Sequence, residues 1–366
     1  MKRELIEQIA DERGVSPKTK KAYYSAVNSY EAFIGKKIED LLIEAENEEE
    51  DGIRWKNRHL KTYLVNYRSY LANNCTKNTT KSYFNCIKTL YRHHEIEIHE
   101  LPSFRNKQGI EREISFNDLI TKEELLQAYN YGNNLIKSLI LFMSSSGVTR
   151  VDTTNITVSQ FIDACADYIT TGTLEDQLSE LQRQSDIVPT WYLKRQKTSK
   201  NFYTFSTPES TKEIINYLYT RKNLSYEDKL FQIHPLTINR KFNEINTALG
   251  FGSAGSYSKF VPHMLRKYQA SVLTNCKNAL TEDEVDVIQG RSKDKIRNSY
   301  FKNDPSVLRE KYLKCVRDLS ITGDEVFIVD EVRAENALLK NKIDEQDNKL
   351  NTVIANQKRL EVLLNR

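Results

Sequence analysis

The chain has 366 residues, of which 28% are charged and 39% hydrophobic, and its formal net charge is +4. This length allows two domains. No apolar run approaches the ~20 residues of a membrane-spanning helix, and the charged start, MKRELIEQIADERG, lacks the apolar segment of a secretory signal. We therefore expect a cytoplasmic protein that is neither exported nor embedded in a membrane.

Residues 1–105 are predicted to form a bundle of three or four short amphipathic helices. Ser16 and Pro17 are a favourable N-cap and first-turn pair, and Gly35 ends the helix that follows. Hydrophobic residues recur at helical spacing in three segments: Tyr23, Val27, Tyr30 and Phe33; Leu60, Leu64, Tyr67 and Leu71; and, after a start near Thr79, Tyr83, Ile87 and Leu90 or Tyr91.

Charge is unevenly distributed within this region. Residues 39–51 hold eight acids and no base, whereas residues 54–70, RWKNRHLKTYLVNYRSY, interleave basic residues with tyrosines. Basic faces with intervening aromatics suit a phosphate backbone, because Lys and Arg neutralise phosphates and release counterions. Ordinary solvated helix faces explain the pattern equally well.

A linker is predicted over residues 106–118, where the periodicity is weak. Residues 119–321 follow as a larger unit that begins with helical segments at 122–129 and 135–143. Next, the alternating stretches TWYL and FYTF flank the polar turn KRQKTSKN, which is typical of a β-hairpin. The fold class we expect is therefore mostly α with a small β-sheet.

The C-terminal tail, residues 329–366, is predicted to be a coiled-coil helix. Hydrophobic and amide residues follow a 4-3 spacing for nearly five heptads: Val332, Asn336, Leu339, Ile343, Gln346, Leu350, Val353, Gln357, Leu360 and Leu364. We expect self-association through this tail, and the alternative is a single helix docked on its own chain.

The five cysteines lie far apart, without a CxxC pair: Cys75, Cys86, Cys165, Cys276 and Cys315. Lone thiols in a reducing compartment are the natural interpretation, and neither a disulfide framework nor a zinc site is indicated. The histidines of RHHEIEIHE, His93, His94 and His99, fit no common set of metal ligands. We therefore expect no metal and no cofactor.

Six residues of the second unit can be considered together as candidate catalytic residues. They lie in SSSGVTRVD, KRQKT, VPHMLRKY, QGRSK and NSYF, and they are Arg150, Lys197, His263, Arg266, Arg291 and Tyr300. His263 and Arg266 are three residues apart, so they share one face if this segment is helical. Four basic residues precede Tyr300 within residues 288–304, the segment IQGRSKDKIRNSYFKND.

These residue types fit a metal-free phosphoryl transfer to a tyrosine. Arginine forks stabilise the negative charge that develops on the phosphate oxygens. A phenol with a pKa of about 10 needs a base or a positive field before it attacks. A lysine on a β-turn can give a proton to the departing 5′-oxygen, and a histidine can shuttle protons or bind the phosphate.

The order and spacing of these residues closely resemble the tyrosine recombinase (phage integrase) family, whose boxes are matched by SSGVTR, KRQKT, HMLR, QGR and NSYF. KTSKNFYTFSTPES and IINYLYTRKN look especially like integrases of archaeal mobile elements. The resemblance covers residues 16–315. It implies a core-binding domain in residues 1–105, a catalytic domain in 119–321, double-stranded DNA as the partner, and a tetramer at synapsis.

Two positions depart from the family pattern. Arg291 stands where the family usually has His or Trp, so we expect it to act electrostatically on the scissile phosphate. The acid that often follows the first arginine by three residues is replaced by Thr153, with Asp152 one residue earlier. Which acid supports the His263–Arg266 pair therefore stays open.

The function we expect is site-specific recombination or integration through a 3′-phosphotyrosyl intermediate, with Tyr300 as the nucleophile and without metal or ATP. A type IB topoisomerase is an alternative with similar chemistry. A catalytically impaired DNA-binding protein derived from an integrase is another, and the altered Arg291 favours it. An assembly factor acting through the coiled coil is the third.

Overall fold

Helices make up most of the chain in the computed structural model, which describes residues 2–104, 115–170, 172–255, 257–276, 280–291 and 304–323. Contact density divides the chain into two compact units, residues 1–113 and 114–366. Each unit is described by itself.

Within its described residues, the N-terminal unit contains five α-helices, of which the first and the third were not among the predicted segments. They are α1 (Lys2–Glu12), α2 (Pro17–Ile34), α3 (Ile38–Glu50), α4 (His59–Asn74) and α5 (Lys77–His93). Helix α2 begins at the predicted cap, where the Ser16 side chain accepts a hydrogen bond from the Thr19 N–H. It ends at Gly35, whose φ of 80° lies in the left-handed region that favours glycine.

Tyrosines fill much of the core of this unit. Tyr30, Tyr67 and Tyr91 are fully buried. Their hydroxyls are satisfied, because Tyr30 and Tyr91 bond each other at 3.3 Å and Tyr67 donates to the Ala26 carbonyl at 3.3 Å. Tyr67, one of the tyrosines in the basic stretch 54–70, is therefore a packing residue of the core.

The acidic and basic stretches of this unit neutralise each other in part. Arg58, just before α4, donates to the Glu49 carboxylate of α3 at 2.6 Å and to the Ile53 carbonyl at 2.9 Å. Glu48, which is buried, accepts the His59 N–H at 2.8 Å. Arg58 is itself 8% exposed, so it belongs to a structural ion pair.

The second unit surrounds an apolar helix with further helices and two small antiparallel sheets. Its helices are α6 (Lys122–Tyr131), α7 (Asn134–Ser146), α8 (Arg150–Thr153), α9 (Val158–Ala164), α10 (Leu174–Gln182), α11 (Pro208–Tyr219), α12 (Pro235–Ala248), α13 (Pro262–Asn275), α14 (Glu282–Ile288) and α15 (Pro305–Leu319). Its strands are β1 (Thr190–Lys194), β2 (Asn201–Phe205), β3 (Ser253–Ala254) and β4 (Tyr257–Ser258).

Helix α7 lies at the centre of the core. All residues from Leu139 to Ser146 are buried, and α7 packs against α6, α11 and α13. Trp191 of β1 is fully buried, with its ring centroid 5.0 Å from that of Phe142, and its indole N–H donates to the Ser206 hydroxyl at 3.0 Å. The hairpin is thereby held firmly to α7.

The predicted β-hairpin is present. Strands β1 and β2 pair antiparallel, with Thr190 opposite Phe205 and Lys194 opposite Asn201. Alternate residues point inward, as in Trp191 and Phe202, while Tyr192 faces solvent. The turn of residues 195–200 is closed by a bond from the Arg195 N–H to the Lys200 carbonyl at 2.8 Å.

The expectation of five lone thiols is wrong for two of them. Cys276, at the end of α13, and Cys315, in α15, form a disulfide with a Cα–Cα distance of 6.0 Å. They are 39 residues apart in sequence, and spacing alone cannot reveal such a pair because only the packing of α13 against α15 brings them together. Cys75, Cys86 and Cys165 are free.

Several sequence predictions fall outside the described residues: Tyr300, the coiled-coil tail and most of the linker. Residues 116–118 of that linker form a short 3₁₀ turn, Phe116–Asp118. Within the described ranges, no helix is both long and apolar enough to cross a membrane.

The disulfide is expected to stabilise the folded chain. Cys276→Ser should lower the free energy of unfolding under non-reducing conditions by roughly 2–4 kcal/mol, because closing a loop of this length restricts the unfolded chain. Denaturant unfolding followed by circular dichroism measures the difference. With dithiothreitol present, the variant and the parent should unfold at closely similar concentrations.

Cys75→Ser is the matched control, since it removes a free, half-buried thiol from the other unit. It should respond to dithiothreitol as the parent does. Peptide mapping without reduction that recovers Cys276 and Cys315 as separate free thiols would contradict the pairing.

Candidate active site

A tight turn at the end of α7 carries the first candidate residue. Gly147 ends the helix with a φ of 64°, and a Cβ there would lie 2.4 Å from the Gln269 side-chain oxygen. Only glycine therefore fits. Two residues later, the Thr149 hydroxyl caps α8, and this short helix presents Arg150, which is half-buried.

Arg266 is a buried cation that joins two helix ends. It is 5% exposed, and its guanidinium donates from Nη1 to the Gly147 carbonyl and from Nη2 to the Gln289 carbonyl, the latter at 2.7 Å. The first carbonyl precedes Arg150 and the second precedes Arg291. One side chain of α13 therefore fixes the spacing between two other candidate residues.

Two fully buried glutamines support this arrangement. Gln289 donates from Nε2 to the Arg266 carbonyl at 3.0 Å and to the Gln269 side-chain oxygen at 2.6 Å. Gln269 in turn donates to the Ser145 carbonyl at 3.2 Å, and that carbonyl also accepts from the Tyr312 hydroxyl at 3.1 Å. The network ties α7, α13, α14 and α15 together behind the guanidinium.

Asp152 has a different partner from the one that sequence reasoning considered. Its Oδ1 accepts the Gln196 N–H at 2.9 Å and its Oδ2 accepts the Thr149 hydroxyl at 2.6 Å. It forms no hydrogen bond with His263 or Arg266 within the described structure, although its charge favours the charged form of Arg266. Asp152 therefore holds the β1–β2 turn, which carries Lys197.

Arg291 follows a second tight turn. Gly290 has a φ of 61°, and a Cβ there would lie 2.7 Å from the Phe202 ring, so glycine is again required. The Arg291 guanidinium is 41% exposed and pairs with Asp286 at 3.0 Å. An exposed pair of this kind is weak, so an incoming anion can compete for the guanidinium.

The five described candidates meet at one cavity of about 740 Å³, which we call the basic cavity. It is lined by Thr149, Arg150, Val151, Arg195, Lys197, Thr198, Asn239, Tyr257, Val261, Pro262, His263, Arg266 and Arg291. No carboxylate is among these residues. The cavity therefore concentrates positive charge and suits an anion with several oxygens.

The charges of the basic cavity perturb one another. Burial, reinforced by repulsion from Arg291 and Arg195, lowers the pKa of Arg266 to about 9. Burial also lowers the pKa of Arg150. Both arginines stay cationic at neutral pH, and a bound anion would relieve this repulsion.

Burial and the neighbouring cations also favour the neutral form of His263. Solvent reaches its ring, but packed protein atoms and the nearby charges of Lys267, Arg266 and Arg291 lower its pKa below the usual value. A neutral imidazole keeps one nitrogen free to accept a proton.

Sequence reasoning missed some residues of this cavity. Arg195 and Thr198 flank Lys197 in the turn, and Asn239 and Tyr257 come from α12 and β4. Arg195 lies within the KRQKT box, but a basic turn residue is too common for its type to distinguish it. Among the described residues, no cluster of three or more His, Cys, Asp or Glu is arranged to hold a metal ion.

The electrostatics of His263 can be tested directly. In the free protein, proton NMR should find its titration midpoint below about 6.5, and Arg291→Gln should raise that midpoint because one repelling charge is removed. Since the unfolded chain takes up this proton at higher pH than the folded chain does, the histidine destabilises the fold as the pH falls from about 6.5 through the lowered pKa.

Lys314→Gln is the control, because it removes an exposed cation of α15 that pairs with Glu310. It should leave the His263 midpoint unchanged. A midpoint at or above the usual value in the parent protein would contradict the electrostatic description of the cavity.

Comparison with known proteins gives structural neighbours only. No family model matches the sequence, and no curated protein matches it either. The structure resembles that of the Tn1549 transposon integrase in complex with circular intermediate DNA, at 12% identity and a TM-score of 0.50. The match covers 85% of this chain and 98% of that one.

Two other solved structures are similar over comparable lengths. A lambda integrase dimer bound to a core site shares 13% identity with a TM-score of 0.49, covering 80% of this chain and 92% of that one. XerA recombinase shares 18% identity with a TM-score of 0.35, covering 85% and 96%. The Tn1549 likeness establishes that the chain has the mostly helical tyrosine recombinase fold with its small β component.

Proposed function

We propose that the chain is a tyrosine-type site-specific recombinase or integrase, which cuts and rejoins double-stranded DNA through a 3′-phosphotyrosyl intermediate. One observation carries the proposal. Five candidate residues that lie far apart in the sequence line one cavity, and none of its described lining residues carries a carboxylate: Arg150, Lys197, His263, Arg266 and Arg291. That is the electrostatic environment in which a phosphodiester gains charge during cleavage.

The arginines are assigned to the phosphate. Arg266 already uses two N–H groups on protein carbonyls, so its position is set before substrate arrives and it contributes a fixed charge. Arg150 and Arg291 carry the guanidinium forks that can bond the non-bridging oxygens directly. Arg291 reaches the phosphate by exchanging its exposed pairing with Asp286.

In this proposal, cleavage transfers the phosphoryl group from the 5′-oxygen of the DNA to Tyr300. The phenolic oxygen of Tyr300 forms a bond to phosphorus, the bond from phosphorus to the 5′-oxygen breaks, and the ester conserves the bond energy. Neutral His263 can accept the phenolic proton, and Lys197 gives a proton to the leaving 5′-oxygen. Attack by a 5′-hydroxyl of another duplex reverses the step, so neither ATP nor a metal is required by this scheme.

The N-terminal unit completes the proposal as the core-binding domain, which grips the duplex. We infer that the protein works on DNA in the cytoplasm and belongs to a mobile element. The heptads after Val332 suit pairing between chains, and we infer a tetramer when two duplexes are exchanged.

Covalent capture tests the proposal. Nicked suicide duplexes drawn from DNA that flanks the gene should yield a protein–DNA adduct on a denaturing gel, because loss of the short 5′ fragment prevents religation. Tyr300→Phe should abolish the adduct, since the nucleophilic oxygen is removed.

Tyr219→Phe is the matched control, because Tyr219 is an exposed tyrosine of α11 outside the basic cavity. Its adduct should equal that of the parent. An adduct that persists in Tyr300→Phe, or none from the parent on any flanking duplex, would overturn the assignment. Relaxation of arbitrary supercoiled plasmid would instead indicate a type IB topoisomerase.

The role of Lys197 has its own test. Lys197→Ala should slow cleavage of the ordinary duplex by about 10²–10⁴-fold, the usual contribution of a general acid. A duplex with sulfur in place of the bridging 5′-oxygen should restore the rate, because a thiolate leaves without a proton.

Lys194→Ala, whose side chain faces solvent on β1, should match the parent on both duplexes. An equal loss for Lys197→Ala on the oxygen and sulfur duplexes would contradict the general-acid role.

A further inference from the structure

We propose that Arg195 is a positioning residue that sets the place of Lys197 by tying the β1–β2 turn to the turn before Arg291. The inference rests on the proposed function for its kinetic consequences. The tether itself is a property of the fold.

Two charged side chains connect the turn of residues 195–200 to neighbouring segments: Asp152 of α8, and Arg195 of the turn itself. On one side, Asp152 accepts the Gln196 N–H at 2.9 Å. On the other, the Arg195 guanidinium donates from Nη1 to the Gly290 carbonyl. Lys197 lies beyond both attachments and is exposed, so its reach into the basic cavity depends on where the turn is fixed.

The acceptor of the Arg195 bond is suited to this purpose. Gly290 lies in the turn just after the carboxyl end of α14, and its own N–H bonds the Val287 carbonyl at 2.9 Å. A cation at this end also complements the helix dipole. Because Gly290 packs against the Phe202 ring of β2, the acceptor is rigid with respect to the hairpin.

Arg195 also contributes to the cavity itself. It is half-buried and lines the cavity beside Lys197 and Thr198. Its Nε and the Thr198 hydroxyl are buried and have no hydrogen-bond partner within the described part of the chain. Its charge also repels the buried Arg266 cation and adds to the lowering of the Arg266 pKa, after burial and the charge of Arg291.

These contacts distinguish two roles for Arg195. If Arg195 only stabilises the fold, its loss slows cleavage of oxygen-bridged and sulfur-bridged duplexes equally, or slows neither. If it positions Lys197, its loss specifically affects protonation of the leaving oxygen, because misplacing a catalytic group by about 1 Å can cost on the order of 10²-fold.

The experiment compares Arg195→Gln with the parent on oxygen-bridged and sulfur-bridged suicide duplexes. We expect cleavage of the oxygen duplex to fall by about 10–100-fold and cleavage of the sulfur duplex to stay within about threefold of the parent, since no proton is needed there. Arg195→Lys keeps one donor and should be intermediate. Lys194→Gln is the control, because it removes the charge of the preceding residue, whose side chain faces solvent on β1. It should behave as the parent.

Hydrogen exchange followed by mass spectrometry provides a measurement that needs no substrate. Amides of residues 195–200 should exchange faster in Arg195→Gln than in the parent or in Lys194→Gln. Exchange across α7 should not change, because the variant leaves that core intact.

Each outcome decides the inference. Selective loss on the oxygen duplex with faster exchange in the turn supports it. Equal loss on both duplexes, or parental rates on both, overturns it. If the parent forms no adduct with either duplex, the proposed function fails and the role through Lys197 fails with it, while unchanged exchange in the turn would separately refute the tether.

Discussion

The basic cavity depends on how the buried charge of Arg266 is compensated. Moving a guanidinium out of water is costly unless its donors are used, and here the Gly147 and Gln289 carbonyls accept two of them. Those carbonyls lie at the ends of the segments that lead into Arg150 and Arg291. The hydrogen bonds that satisfy Arg266 therefore also position Arg150 and Arg291. Carbonyl dipoles satisfy the hydrogen bonds without cancelling the charge. The cavity therefore keeps a net positive field, and a bound anion would relieve the repulsion between its cations.

The β1–β2 turn brings the exposed Lys197 to the lining of the basic cavity. Trp191 and Phe202 anchor the two strands in the core, while Asp152 and Arg195 hold the turn by bonds to neighbouring segments. Lys197 itself stays exposed. For the proton-donor role proposed for Lys197, this combination keeps the backbone fixed while the side chain can follow the reacting atoms.

Sequence reasoning succeeded where the cause of a structure is local. The cap at Ser16, the helix end at Gly35 and the alternation of TWYL and FYTF each depend on a few neighbouring residues, and the structure contains all three. It failed for α3, whose run of acids obscured the buried Leu41 and Ala45. It also failed for the Cys276–Cys315 pair, which depends on α13 packing against α15.

The sequence by itself determined the mostly helical fold class, the hairpin, and the order of basic residues that points to phosphate chemistry. Each follows from short-range propensity or from the intrinsic chemistry of a side chain. Only the tertiary structure decided that five of those residues face one cavity, that Asp152 holds the turn, and that Arg195 reaches Gly290. These contacts join residues 44 to 95 positions apart, and their geometry is set by core packing that no local pattern encodes.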